Sequence, residues 1–333
     1  MSVMSKEVRL VSRPSGMPTA ANFHLAETEV CGPEENQVLV RNLYISVDPY
    51  MRGRMRDVKS YVPPFELGKA MSGGALGEVV ESRDDRFKAG DAVVSNYGWR
   101  EYFTAIGQAL VPVSRDVAPL SVYLGTLGMT GMTAWAGLKL VDVKAGDVVF
   151  VSGAAGAVGN VAGQLAKIYG CRVIGSAGSA EKVKVLREKC GFDSVFNYKE
   201  GRTIDLLNEA APDGIDVYFD NVGGESLEAA LSALRVHGRI IACGMISSYN
   251  ESAPQPGPSN LSNIVTKRLT MKGLIVSDWM NKQAEFMQEV GTYYKDGKLH
   301  HEETVVKGLE NAADAFIGLF HGSNIGKMVV ELV

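Results

Sequence analysis

Residues 148–159 read VVFVSGAAGAVG, a short apolar run that passes into a turn of small residues. Gly153, Gly156 and Gly159 give this turn the spacing G-x-x-G-x-x-G, and a helical pattern follows over residues 157–169. Small residues let a backbone turn tightly and approach a pyrophosphate, and the N-terminus of the next helix offers it free N–H groups. The stretch therefore predicts a dinucleotide-binding turn between a strand and a helix.

Strands and helices alternate along the chain after this turn. Apolar strand patterns recur at 171–176, 194–197, 215–220, 238–243 and 269–276, and helical patterns at 180–190, 225–235 and 281–295. Such alternation predicts a parallel sheet with right-handed crossover helices, which is a doubly wound α/β domain.

The chain before residue 125 follows a different pattern. Short strand patterns at 37–46, 77–81, 92–95 and 101–105 are separated by Gly, Asp and Pro. Strands at this close spacing predict a sandwich or a partly open barrel. Residues 324–333 (NIGKMVVELV) read as one more strand, which we expect to return to this first domain.

Composition and charge exclude several classes of protein. Of the 333 residues, 46% are hydrophobic and 22% are charged, as in ordinary globular proteins. A net charge of −4 without a long basic run argues against nucleic-acid binding. No apolar run reaches the roughly 18 residues of a membrane helix, and residues 1–16 lack the apolar core of a signal peptide. We therefore expect a cytoplasmic protein with neither nucleic-acid nor membrane partners.

Metal ligands are poorly supplied in this sequence. The four cysteines lack the close spacing of a zinc site or a redox motif; they are Cys31, Cys171, Cys190 and Cys243. His300 and His301 are adjacent, so on a strand they would point to opposite faces. We expect reduced thiols and no metal ion.

The segment after the second strand indicates which dinucleotide is bound. An acidic residue about 20 residues beyond the glycine turn would hold the ribose hydroxyls of NAD. Residues 175–182 read GSAGSAEK, with small residues at the strand end and Lys182 opening the next helix. A lysine there can meet the 2′-phosphate of NADP as a point charge. The sequence thus favours NADP(H), with a solvated helix lysine as the alternative interpretation of Lys182.

Several segments together resemble the zinc-independent double-bond reductases of the medium-chain dehydrogenase/reductase superfamily, which include prostaglandin, alkenal and curcumin reductases. The segments are SVDPYMRGRM (46–55), LGTLGMTGMTAW (124–135), AAGAVG (154–159), AGSAEK (177–182), GFDSVFNYK (191–199), FDNVGG (219–224), CGMISSYN (243–250) and NIGKMV (324–329). The resemblance covers nearly the whole chain. Thr130 departs from it, because the family usually has proline there, and we expect a slightly looser turn.

The resemblance implies a fold of two domains. A chaperonin-10-like (GroES-like) β-barrel catalytic domain would comprise residues 1–123 and 305–333, and a Rossmann NADP-binding domain would comprise residues 124–304. Cofactor and substrate would lie in the cleft between the domains. Relatives are commonly dimers, so we also expect a homodimer, with the strand at 269–276 as the pairing edge.

The resemblance also implies roles for individual residues. Tyr249 would be catalytic, and Tyr50 and Met51 would line the substrate pocket. The cofactor would be bound by Met129, Thr130, Thr133, Gly153, Ala154, Ala155, Gly156, Ala157, Val158, Gly159, Gly178, Lys182, Tyr198, Asn221, Cys243, Gly244, Met245, Ile246, Ser247, Tyr249, Asn324 and Gly326.

Each side chain has a plainer interpretation that stays open. Tyr198 can be a surface aromatic, and Asn221 can serve the turn itself, because asparagine favours turn conformations. Cys243 can be a small core residue. Tyr50 and Tyr249 can be aromatics that fill loops.

The implied reaction is reduction of the C=C bond of an α,β-unsaturated ketone or aldehyde. NADPH would give a hydride to the β-carbon, and the enolate that results would be protonated at the α-carbon by tyrosine or water. Candidate substrates are alkenals, enones, curcuminoids and 15-keto prostanoids. Two alternatives remain: an NADPH-dependent quinone reductase, and an NADPH-binding protein without turnover.

Overall fold

The structure is a computed structural model that describes residues 2–332, and all counts of elements refer to those residues. Met1 and Val333, which fall in the predicted first domain and the predicted last strand, lie outside the described residues. The chain divides into two compact units. The first takes 1–124, 250–252 and 303–333 as far as they are described, and the second takes 125–249 and 253–302.

Fifteen strands and nine α-helices form the described chain. The strands are β1 (Ser2–Leu10), β2 (Phe23–Cys31), β3 (Gln37–Ser46), β4 (Ala75–Ser82), β5 (Ala92–Ser95), β6 (Tyr102–Ile106), β7 (Val111–Val113), β8 (Val148–Val151), β9 (Arg172–Ala177), β10 (Ser194–Asn197), β11 (Ile215–Asp220), β12 (Leu234–Ala242), β13 (Thr270–Gly273), β14 (Glu303–Lys307) and β15 (Lys327–Glu331). The helices are α1 (Met51–Arg54), α2 (Met129–Leu140), α3 (Ala157–Ile168), α4 (Ala180–Glu188), α5 (Thr203–Ala210), α6 (Gly224–Ala233), α7 (Ser262–Thr266), α8 (Gln283–Lys295) and α9 (Ala312–Phe320). No helix within residues 2–332 is long and apolar enough to span a membrane.

The first unit contains two sheets. β1 and β2 form an antiparallel pair, and seven strands form the larger sheet in the order β14-β15-β3-β4-β5-β7, with β6 also paired to β3. Short strands separated by Gly and Asp turns allow this antiparallel arrangement. β15 pairs with β3, so the end of the chain joins the sheet of the first unit. The core beneath it contains Met51, Trp99 and Phe316, all fully buried.

Residues 250–252 group with this first unit because two arginines hold them. Arg52 Nε donates to Asn250 Oδ1 at 2.9 Å, and Arg56 Nη2 donates to the Glu251 carbonyl at 3.0 Å. Both arginines lie in or just after α1. The chain therefore passes from one unit to the other directly after Tyr249.

The second unit is a doubly wound parallel sheet in the order β10-β9-β8-β11-β12-β13. All its pairings are parallel. The strand β8 is a continuous apolar run, and β11 is apolar apart from Asp216 and Asp220, as expected for strands covered on both faces. α2 packs on α3, and α5 packs on α6 over a core that includes Phe150 and Tyr218. This is the predicted α/β architecture.

Several predicted elements have different bounds in the structure. The helix predicted at 225–235 ends at Ala233, and β12 starts directly at Leu234 instead of at Gly238, because Leu234 already has extended backbone. The strand predicted at 269–276 is reduced to Thr270–Gly273, and a 3-10 turn begins at Val276. The last strand starts at Lys327, after Gly326 with φ 68°.

Candidate cofactor site

The strand order of the second unit creates a crevice for a ligand. From β8 the chain runs outward to β9 and β10, whereas from β11 it runs the opposite way to β12 and β13. The loops that follow β8 and β11 therefore diverge at neighbouring strand ends. In open α/β sheets, ligands bind outside the carboxyl ends of the strands at this switch point.

The glycine turn after β8 is shaped by close backbone contacts. Gly153 has φ 57°, which glycine adopts without strain. A Cβ on Gly159 would lie 2.5 Å from the Gly153 carbonyl oxygen and 2.8 Å from Ala154 Cα, so only glycine lets α3 pack this closely on the turn. Gly156 is the N-cap of α3 and, as far as the chain is described, no side chain caps the helix. The first N–H groups of α3 thus suit an anion.

The neighbouring strand end brings together three predicted residues, Gly178, Lys182 and Tyr198. A Cβ on Gly178 would lie 2.7 Å from the Tyr198 hydroxyl, so the tyrosine ring covers this glycine. The Ser179 side chain accepts the Lys182 N–H at 3.3 Å and caps α4. Burial lowers the pKa of Lys182, and the charge of Lys199 lowers it further, while Glu181 raises it. An anionic group in this corner would relieve the unfavourable environment of the lysine.

The turn after β11 and the end of β12 are bonded to each other. Asn221 Nδ2 donates to the Ser152 carbonyl at 2.8 Å, which ties this turn to the end of β8. The backbone N–H groups of Cys243 and Gly244 both donate to the Asp220 carbonyl at 3.0 Å. Burial raises the pKa of the Cys243 thiol to about 12, so this cysteine is a protonated wall residue.

Two further hydrogen bonds join residues 246–247 to the turn after β11. The Ser247 hydroxyl donates to the Val222 carbonyl at 2.6 Å, and Ile246 N–H donates to the Asn221 carbonyl at 3.3 Å. The predicted residues 243–247 thus line one side of the crevice edge at the β11 turn.

Tyr249 follows this segment, after the 3-10 turn Ile246–Ser248. Its hydroxyl accepts the Met245 N–H at 3.3 Å and would lie 3.1 Å from a Cβ on Gly244. The ring is half-buried. Tyr249 therefore folds back on residues 244–245, which places its hydroxyl at the end of β12.

The remaining predicted residues of the second unit lie near the start of α2. Met129 is exposed, while Thr130 is buried and its hydroxyl donates to the Gly125 carbonyl at 3.0 Å. That hydrogen bond fastens the turn at the position where the family has proline. The Thr133 hydroxyl donates within the helix, to the Met129 carbonyl at 2.8 Å.

Four predicted residues belong to the first unit: Tyr50, Met51, Asn324 and Gly326. Tyr50 is half-buried, and burial raises the pKa of its hydroxyl while Arg54 opposes that rise. Met51 is fully buried in the core, so Tyr50 alone of the two predicted pocket residues keeps exposed surface. The Asn324 amide donates to the Gly326 carbonyl at 2.8 Å.

Sequence reasoning missed two polar residues at this site, Ser152 and Asp220. Both are fully buried at the ends of β8 and β11. The available signal was a polar residue closing each of two apolar strands, at the edge where ligands bind in such sheets. As for metals, residues 2–332 contain no group of three His, Cys, Asp or Glu side chains that could hold an ion.

Comparison with known proteins gives consistent matches along the chain. A family model described as the N-terminal domain of oxidoreductase matches residues 6–113, and one described as zinc-binding dehydrogenase matches residues 157–291. The NADPH-dependent curcumin reductase of Escherichia coli is 42% identical over 97% of this chain and 95% of that protein. The NADP⁺-dependent 2-alkenal reductase of Nicotiana tabacum is 44% identical over 98% of this chain and 97% of that protein.

A solved structure is also similar to this chain over nearly its whole length. The crystal structure of CurA from Vibrio vulnificus in complex with NADPH has a TM-score of 0.93 at 39% identity, and covers 98% of this chain and 99% of that chain. These matches confirm the predicted fold class, a GroES-like domain with a Rossmann domain. The chain belongs to the double-bond reductases of the medium-chain dehydrogenase/reductase superfamily.

Proposed function

We propose that this protein is an NADPH-dependent reductase of the C=C bond of α,β-unsaturated aldehydes and ketones. The curcumin and 2-alkenal reductases, at 42% and 44% identity over nearly the whole chain, support the reaction class. The observation that carries the cofactor choice is the corner of Gly178, Lys182 and Tyr198, where β9 ends without an acidic residue.

NADPH fits the residues present at the strand ends. Gly153 adopts a positive φ in the turn before α3, and Gly159 lets α3 pack closely on that turn, where a side chain would collide. A tight turn leading into a helix N-terminus suits the pyrophosphate of the dinucleotide. We assign the 2′-phosphate to Lys182 and Tyr198, and the remainder of the dinucleotide to Asn221 and to residues 243–247. By family likeness, Asn324 is assigned to the cofactor and Tyr50 to the substrate.

After hydride transfer, the chemistry needs one proton, which the protein or water can supply. When bound, NADPH supplies a hydride for the β-carbon of the substrate, whose C=C bond opens to an enolate. We assign to the Tyr249 hydroxyl the hydrogen bond that stabilises the enolate oxygen, because a donor aimed at developing charge lowers the barrier. Tyr249 or water then protonates the α-carbon, which leaves a saturated carbonyl product and NADP⁺.

A substrate screen tests this proposal. Wild-type protein is mixed with NADPH and, in turn, an enal, an enone, a curcuminoid, a 15-keto prostanoid and a quinone, and NADPH absorbance is followed. We expect turnover with the enal or enone and much slower turnover with the quinone. Faster turnover of the quinone would favour the quinone reductase alternative. No turnover of any substrate, together with tight NADPH binding, would favour a non-catalytic NADPH-binding protein.

We also propose that the chain forms a homodimer through β13. This strand is the edge of the parallel sheet, all four of its residues are exposed, and within residues 2–332 its only partner strand is β12. An uncovered edge strand is a template for pairing with a second copy. Light scattering at micromolar concentration should report twice the 35.8 kDa of one chain. A mass of one chain would contradict the dimer.

A further inference from the structure

Three buried polar side chains lie directly beneath the crevice edge. They are Ser152 after β8, and Tyr218 and Asp220 in β11, and none of them has exposed surface. Burying polar groups is unfavourable unless they are hydrogen-bonded, so a cluster of three needs a structural or functional reason.

The three side chains form one hydrogen-bonded network. The Tyr218 hydroxyl lies 2.9 Å from the Ser152 hydroxyl and 2.8 Å from Asp220 Oδ1. The Asn221 N–H donates to Ser152 Oγ at 3.1 Å. Because Tyr218 has one proton, every donor is used when Ser152 donates to Tyr218 and Tyr218 donates to Asp220. The network therefore joins the residue before the glycine turn to the residue that ends β11.

Asp220 also shapes the turn that follows it. Its Oδ1 accepts the N–H of Val222 at 3.0 Å and the N–H of Gly223 at 2.7 Å, and Gly223 has φ 71°. Its backbone carbonyl accepts the N–H groups of Cys243 and Gly244. Asp220 thus contacts the turn after β11 and the end of β12 directly, and it reaches the end of β8 through the hydroxyls of Tyr218 and Ser152.

We propose that Asp220 is a positioning residue, which aligns the two loops of the cofactor crevice by accepting hydrogen bonds at Oδ1. The inference rests on the proposed function, because NADPH is the ligand that the aligned loops would hold. Asp220 does not touch the ligand. It acts through Ser152 at the glycine turn and through the backbone of residues 221–223 at the facing turn.

The hydrogen bonds to Asp220 indicate that the site uses its accepting oxygen, because Oδ1 accepts from the neutral Tyr218, Val222 and Gly223 groups. Burial raises the pKa of Asp220, and hydrogen bonds from neutral donors oppose that rise. The second oxygen, Oδ2, is buried and has no hydrogen-bond partner among the described residues. An asparagine would keep the accepting oxygen and replace only this second oxygen, so it should preserve the alignment.

The experiment measures the Kd for NADPH by calorimetry, well below the melting temperature, for wild type, Asp220→Ala, Asp220→Asn and Tyr218→Phe. Asp220→Ala leaves three buried donors without an acceptor, and we expect a Kd roughly 10–100-fold higher. Asp220→Asn should stay within about threefold of wild type, and Tyr218→Phe should give a smaller rise than alanine, on the order of three- to tenfold. Tyr218→Phe also serves if the alanine variant does not fold.

Tyr169→Phe is the matched control. The Tyr169 hydroxyl also bonds to a carboxylate, Glu289 Oε1 at 2.7 Å, but it lies just past the C-terminal end of α3, away from the crevice edge. Tyr169→Phe should lower the melting temperature without changing the Kd for NADPH. A purely structural role for Asp220 would give the same result for its variants, and that would overturn the inference.

Two further outcomes separate a failure of this inference from a failure of the proposed function. If Asp220→Asn binds NADPH as weakly as Asp220→Ala, charge matters rather than the accepting oxygen, and the inference is wrong. If wild-type protein does not bind NADPH, it is the proposed function that fails.

Discussion

The crevice edge at β8 and β11 and the corner around Lys182 are built in different ways, although we assign both to the same cofactor. At the edge, Gly159 lets α3 pack closely on the turn, and buried side chains such as Asp220 accept hydrogen bonds from the backbone. At the corner, the half-buried Lys182 and the exposed Tyr198 stand on ordinary helix and strand ends. We therefore expect substitutions at the edge to change the shape of the site and the stability of the protein. Substitutions at the corner should change the preference for NADPH over NADH.

The largest effect should come from filling the edge. Gly159→Ala places a Cβ 2.5 Å from the Gly153 carbonyl oxygen, so the turn and α3 must separate. We expect loss of measurable NADPH binding in a titration and a loss of unfolding free energy of about 1–3 kcal/mol. Gly291→Ala in α8 is the matched control, because nothing lies within 4 Å of its added Cβ, and it should be neutral or stabilising. Native NADPH affinity in Gly159→Ala would remove the distinction between the two regions.

A smaller effect should follow from removing the charge at the corner. Lys182→Ala deletes one charge-assisted contact to the 2′-phosphate, which is worth about 1.5–3 kcal/mol, or roughly 10–150-fold in the ratio of kcat/KM for NADPH over NADH. Protein stability should hardly change. Lys184→Ala, an exposed lysine on the same helix, is the control and should leave the ratio unchanged. Equal use of both cofactors by the wild type would contradict the assignment of this corner.

Tyr249 differs from both regions, because we assign its hydroxyl to the substrate enolate, although the resemblance also places this residue beside the cofactor. Tyr249→Phe keeps the ring and deletes the hydroxyl, and the cofactor ribose and water can partly replace it. We expect kcat with an enone to fall about 10–100-fold while the Kd for NADPH stays the same. Tyr293→Phe in α8 controls for the loss of a hydroxyl elsewhere. An unchanged kcat in Tyr249→Phe would make Tyr249 a pocket wall only.

The smallest expected effect is that of a chelator. Neither region offers a ligand set for a metal ion, and no other group of three suitable side chains exists in residues 2–332. Dialysis against EDTA should leave activity and melting temperature unchanged. Activity lost on dialysis and restored by zinc would count against the branch of the superfamily to which we assign the chain.

The two regions also differ in how well the sequence predicts them. The strands β10 and β11 have the predicted bounds, because each has apolar residues at its centre and is closed by a turn signal. The grouping of Gly178, Lys182 and Tyr198 follows from neighbouring strand ends in a parallel sheet. The buried network was not predictable in this way. Its members Ser152 and Asp220 are 68 positions apart, and a polar residue at a strand end gives no local sign of burial.

Other elements were either not predicted or predicted with different bounds, each for a physical reason. β1 and β2 pair across the long connection from Val11 to Asn22, so no tight hairpin turn marks them as a pair. Their exposed residues include the apolar Met4 and Leu25 as well as charged side chains, so neither run shows a clean alternation of apolar and polar residues. The sequence pattern predicts that β12 starts at Gly238, yet α6 passes into the strand at Leu234 without a loop. The edge strand β13 comprises only Thr270–Gly273, and all four residues are exposed. The apolar pattern at 269–276 is therefore longer than the strand that forms.

The carbon that receives the transferred hydride distinguishes reduction of the C=C bond from reduction of the C=O bond. Wild-type protein is given an enone and NADPH that carries deuterium at the transferred position, and the product is analysed by mass spectrometry and NMR. A C=C reductase places the deuterium on the β-carbon of a saturated ketone and leaves the carbonyl intact. Deuterium on the former carbonyl carbon, in an allylic alcohol, would contradict the account, because the protein would then reduce the C=O bond.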